Sequence, residues 1–176
     1  IRAYERLQGP TEVLYWDKIN TYDGCTFFGV ASNTYLINME GRVLHTWPVG
    51  INPRLLANGN VLDGVGGDIN GYSGFKEVDW DGKTVWEYTE KRENYAPHHD
   101  WVRIFNKQLN APTTLYIANK TISYEQAVDA GADPKKASTE GGQMDAVVEV
   151  DMQGNVVWEW CFFDHVVQDL DPSKPN

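Results

Sequence analysis

The sequence predicts an all-β fold, a β-propeller built of four-stranded antiparallel blades. Three observations predict it. A glycine-turned hairpin motif occurs three times. Aromatic residues reach 12 %, with seven Trp and nine Tyr, and such rings favour pleated surfaces. Helical periodicity is confined to one short stretch.

The first copy of the motif runs Leu36-Ile-Asn-Met-Glu-Gly41-Arg-Val-Leu-His-Thr-Trp47. The second runs Glu77-Val-Asp-Trp-Asp-Gly82-Lys-Thr-Val-Trp-Glu-Tyr88. The third runs Glu149-Val-Asp-Met-Gln-Gly154-Asn-Val-Val-Trp-Glu-Trp160. Asn38, Asp79 and Asp151 can bond their own backbone two residues on and so start a turn. The Gly three positions later supplies the left-handed conformation that a short bulged hairpin needs. Trp86/Tyr88 and Trp158/Trp160 are two apart, so each pair shares a strand face and is expected to pack on a neighbouring sheet.

A second hairpin follows each of the first two copies. Arg54 to Leu62 holds an Asn58-Gly59 turn, a strong hairpin signal. Trp101 to Lys107 and Thr113 to Ala118 form another, with a longer loop. The motif glycines lie 41 and then 72 residues apart. The first spacing fits one propeller blade. The excess in the second falls on an insertion over 121–144. There Ser123-Tyr-Glu-Gln126 is a capping box and Gly131 a C-cap, so a short helix is expected. Blade one is thus read over 25–67, blade two over 72–120, and the start of blade three over 145–176. Two and a half blades leave an open edge and bare aromatics. The remaining blades are therefore expected on a second polypeptide or a C-terminal part. A β-sandwich is the competing reading, but it has no need of the repeat.

Charge and composition narrow the partners. The formal net charge is −10 and no basic stripe exists, which argues against nucleic acid. No apolar run approaches the ~20 residues of a membrane span. The first residue is Ile1 rather than Met, which fits a removed leader and export, or residues omitted ahead of it. Cys25 and Cys161 lack metal-type spacing; they are either free buried thiols or one bridge. Asn119-Lys120-Thr121 matches a glycosylation acceptor.

Ser32-Asn-Thr-Tyr-Leu-Ile-Asn-Met-Glu-Gly-Arg-Val-Leu-His-Thr-Trp47, then Leu55-Leu-Ala-Asn-Gly-Asn-Val-Leu62, then His98-His-Asp100 before a strand, resemble bacterial arylsulfotransferase-type propellers. The resemblance covers most of 25–160 outside the insertion. It implies about six blades, export to the periplasm, and sulfuryl transfer between phenolic compounds through a central histidine, with no soluble cofactor. His98, His99 and Asp100 are the residues it carries over. The family's other histidines and its arginine would lie on blades outside this chain.

The residues themselves point to the same triplet. His98, His99 and Asp100 precede the expected strand that would line the axial channel. Neighbours on an extended segment point oppositely, so one imidazole is expected to face the channel while the other packs. Imidazole serves as nucleophile or general acid/base near neutral pH. Asp100 would fix a tautomer or accept backbone bonds. Arg54 and Arg103 offer forks for sulfate, and His165 lies on a connector towards the next inner strand. His45 fills an aromatic slot of the repeat, which favours packing. Channel histidines holding a metal ion are the alternative cofactor reading. Asp63, Asp68 and Asn70 form a weak calcium candidate, and 64–67 (Gly-Val-Gly-Gly) reads as an inter-blade connector. The expected partners are an aromatic small molecule and the polypeptide completing the ring. The competing functions are a non-catalytic binding scaffold and a metal-dependent propeller enzyme.

Overall fold

The computed structural model describes residues 13, 15–66 and 71–166. It is all-β: eleven strands form three antiparallel sheets among the described residues. The first sheet has the order β1-β2-β3, namely Cys25–Val30, Asn33–Asn38 and Val43–Trp47. The second has the order β4-β5-β6-β7: Arg54–Leu55, Val61–Val65, Gly74–Val78 and Thr84–Thr89. The third is β8 (Tyr95–Asn106), β9 (Ala111–Ile122), β10 (Gly142–Asp151) and β11 (Val156–Cys161), again in chain order across the sheet.

The three motif turns are copies of one another. Asn38, Asp79 and Asp151 each accept, through Oδ1, the backbone N–H groups two and four residues on, at 2.8–3.1 Å. Gly41, Gly82 and Gly154 return a bond to the carbonyl of that residue. Their φ angles are +82°, +79° and +84°, a region costly for any residue with a Cβ. The Asn58-Gly59 hairpin has the same form. Gly59 has φ +87° while Asn58 does not have positive φ, so the two-residue mirror-image turn is not made.

The hairpins group differently from the boundaries at 25–67 and 72–120. Each four-stranded sheet takes the asparagine hairpin first and the motif hairpin second, spanning 54–89 and 95–161. Two buried glutamates show why. Glu77 Oε1 accepts from Asn60 Nδ2 at 2.6 Å, and Glu149 Oε1 accepts from Asn106 Nδ2 at 2.8 Å and from Thr113 Oγ1 at 2.6 Å. Each motif glutamate thus pairs with the asparagine turn preceding it. The inserted helix α1, Tyr124–Asp129, carries the expected capping box of Ser123 and Gln126. It joins β9 to β10 inside the third sheet. Likewise Gly64 and Val65 end β5 and Gly66 follows it, inside one sheet rather than between blades; Gly67 lies outside the described residues.

The chain divides into two compact units: the described residues of 1–63 with 77–85, and those of 64–76 with 86–176. In the first, Trp47, Val49, Val61 and Val78 form a core onto which Phe27 and Leu36 pack. In the second, Phe75 is fully buried with ring centres of Trp101 and Tyr116 both at 5.0 Å. Burying such a ring contributes about 2–3 kcal/mol. Gly64 makes room for Trp101: a Cβ there would lie 2.8 Å from the indole. Among the described residues no helix is long and apolar enough to cross a membrane.

Candidate functional site

The triplet lies on β8, one of the two end strands of the third sheet. His98 pairs with Ile117 and Trp101 with Tyr116, so His99 and Asp100 are extra residues in a bulge. His99 has φ +56°, an uncommon conformation for a residue with a side chain. Bulges and such backbone strain concentrate at functional sites. The expected alternation of the two rings does not occur. The bulge cancels it, and the rings meet edge to face with Nδ1 atoms 2.6 Å apart.

That contact requires one proton between two ring nitrogens. His98 Nε2 is buried without an aligned hydrogen bond, yet Asp145 Oδ1 lies 3.3 Å away. A carboxylate there favours a proton on His98 Nε2. His98 Nδ1 is then the acceptor and His99 Nδ1–H the donor. This assignment leaves the lone pair of His99 on Nε2, on the exposed ring of the two. The order carboxylate, imidazole, imidazole polarises His99 as an orienting group polarises a catalytic base. Asp100 Oδ1 accepts the Trp101 N–H at 2.8 Å, which holds the bulge.

Beside the bulge lies an open apolar pocket of about 180 Å³, lined by Asp100, Trp101, Leu115, Tyr116 and Val147 among others. A cavity of roughly 150 Å³ holds benzene, so one aromatic ring fits. Asp145 was not singled out by sequence. It stands on β10, two strands from His98, and only the register of β8, β9 and β10 brings it there.

The other sequence candidates are engaged elsewhere. Arg103 lies over the Trp86 ring, 4.3 Å from its centre, with Nη1 2.7 Å from Met152 Sδ. His165 stacks on Trp160 at 4.9 Å. Arg54 belongs to the first unit, where Nη1 donates to Asn52 Oδ1 at 2.8 Å. His45 packs as expected, stacked 4.0 Å from Trp80. Asp63 is buried and accepts the N–H groups of Ile51 at 3.0 Å and Asn52 at 2.7 Å. It fastens the segment before β4, and its calcium partners Asp68 and Asn70 lie outside the described residues. No group of three or more His, Cys, Asp or Glu among the described residues has metal-site geometry. Both cysteines are free thiols; Cys161 is buried as expected, whereas Cys25 is exposed. Asn119 sits in a strand paired on both sides rather than in a loop.

A second polar cluster lies in the same unit. Glu90 binds Arg92 through two charged contacts, Nε at 3.0 Å and Nη2 at 2.8 Å, and accepts the Tyr116 hydroxyl at 2.6 Å. Arg92 Nη1 also reaches Glu159 Oε2 at 2.6 Å. Burial pushes the Glu90 carboxyl up, but bonds from Arg92 and Tyr116 outweigh it and hold the group below its ordinary range. Burial, joined by the neighbouring carboxylate, pushes the Tyr116 phenol well up. Lys120 Nζ lies 3.5 Å from Glu159 Oε1, so two cations meet two carboxylates and the cluster acts as a structural clasp. No family model, curated protein or solved structure matches this chain.

Proposed function

We propose that this chain is part of an exported β-propeller enzyme of about six blades that transfers a sulfuryl group between phenolic compounds, in the manner of arylsulfotransferases. In this reading other polypeptide supplies the remaining blades, and the periplasm or the exterior is the site of action. The observation that carries it is the Asp145–His98–His99 array, followed in the chain by Asp100, which lines a pocket sized for one aromatic ring.

His99 Nε2 attacks the sulfur of an aryl sulfate. The N–S bond forms, the S–O bond to the ring breaks, and its electron pair leaves on the phenolate, which takes a proton from water. His98 accepts the His99 Nδ1–H bond and disperses the charge on the sulfated ring, while Asp145 holds His98 in the accepting tautomer. An acceptor phenol then attacks sulfur, breaks the N–S bond and releases its own proton. The expected products are a free phenol and a new aryl sulfate, with His99 restored.

The test is sulfate exchange between two phenols by the native protein. His99→Ala should abolish exchange. Asp145→Asn should lower it at unchanged donor affinity, roughly ten- to a hundredfold, the scale of losing an outer partner that orients a histidine. Exchange that survives His99→Ala at full rate would remove His99 from the reaction.

A further inference from the structure

The three motif copies are chained by one repeated contact, and the third copy presents it open. In the first unit, His45 Nε2 lies 2.7 Å from the carbonyl of Trp80, the residue after the turn-starting Asp79. In the second unit, Trp86 Nε1 donates at 2.9 Å to the carbonyl of Met152, the residue after Asp151. The two contacts occupy the same positions of the repeat. Each time the first ring of one copy binds the second residue of the next copy's turn. The glycine of that turn closes on the end of the same strand, at the last motif ring or the residue after it. A Cβ on Gly82 would meet Pro48 at 3.0 Å, and one on Gly154 would meet the Tyr88 ring at 3.5 Å.

Burial follows the contact. Trp47 is 0 % exposed and Tyr88 7 %, whereas the equivalent Trp160 is 36 % exposed and Trp158 is 47 % exposed. The Trp158 indole N–H has no partner among the described residues, while His45 and Trp86 both use theirs.

We infer that the Trp158/Trp160 face of β11 is a docking surface for an Asx-x-x-Gly β-hairpin carried by polypeptide beyond these 176 residues. The Trp158 N–H binds the carbonyl of the residue after the Asx, and the turn glycine seats at the part of Trp160 that the stacked His165 leaves exposed. Two facts favour that source. No glycine follows Gly154 in the sequence, so the residues after it hold no Asx-x-x-Gly motif. Gly41 of the first copy is already buried, which disfavours a second copy offering its Asn38 turn. The inference stands on the repeat alone and is independent of sulfuryl transfer.

The probe is a backbone-cyclised hairpin peptide with the Val150–Val157 sequence, titrated into the nitrogen-labelled chain. The Trp158 indole resonance should shift in a saturable way, and Trp158→Phe, which removes only the N–H, should weaken binding roughly five- to tenfold. A peptide with the turn glycine replaced by valine should not bind. Failure of the resonance to move would overturn the inference. So would protection of the Trp158 N–H from exchange before peptide is added, or a shift caused by raising the chain's own concentration, since these identify the tail or a second copy as the occupant.

Discussion

Glu90 is the group whose loss the structure prices most fully. Its side chain is 3 % exposed and clasps Arg92, which is 29 % exposed. Removing one partner of a buried ion pair costs about 3–5 kcal/mol. Arg92 retains Glu159 and some water, so its share falls to the low end. The Tyr116 hydroxyl loses its acceptor, but Tyr88 Oη at 3.0 Å can replace it. Glu90→Ala should therefore destabilise by about 3 kcal/mol. With a urea dependence near 2 kcal/mol per molar, the midpoint should fall by about 1.5 M. Glu90→Gln keeps the shape and should lose about half as much.

The pH dependence has a fixed sign. The Glu90 carboxyl is lowered from 4.5 in the folded protein. Its contribution is complete above that value and is lost as pH falls through the lower folded value. Urea titrations at neutral pH and at successively more acidic pH should show the wild type losing stability in that acid window, with Glu90→Ala flatter there. A midpoint within about 0.3 M of wild type at neutral pH, or an unchanged acid slope, would refute the clasp.

Three further outcomes follow from other contacts. Asp63→Asn can accept through only one oxygen and turns an N–H towards the Ile51 or Asn52 N–H; calorimetry should show a loss of about 2 kcal/mol. Gly59→Ala meets no atom within 4 Å, so only backbone strain counts; denaturation should register about 1 kcal/mol, less for Asn. Trp86→Phe removes the bond to Met152 and should cost about 1 kcal/mol, with faster amide exchange in the Asp151 turn.

The turns were legible because they are local. An Asx carboxylate or amide, two backbone N–H groups and a left-handed Gly lie within five residues, so Asn38, Asp79 and Asp151 announce their hairpins. The Ser123 cap was legible for the same reason. Which hairpin joins which was not. In an alternating series, pairing forward or backward gives four strands either way, and the deciding contacts, Asn60 to Glu77 and Asn106 to Glu149, span 17 and 43 residues. The His98 triplet stood out by composition. Its geometry did not, because a bulge at His99 breaks the alternation that extended chain implies. Asp145 gave no signal of its own, since strand register alone sets it beside His98. Arg103 and His165 carried useful chemistry in type but are held by Trp86 and Trp160.

Trapping the sulfated intermediate is the most direct measurement. The native protein is incubated with a labelled aryl sulfate, quenched in base and digested, and the label is located by mass spectrometry. One sulfuryl group should appear on His99, be lost when a phenol acceptor is added, and be missing from His99→Ala. Turnover with the label on another residue, or with none bound at any stage, would contradict it.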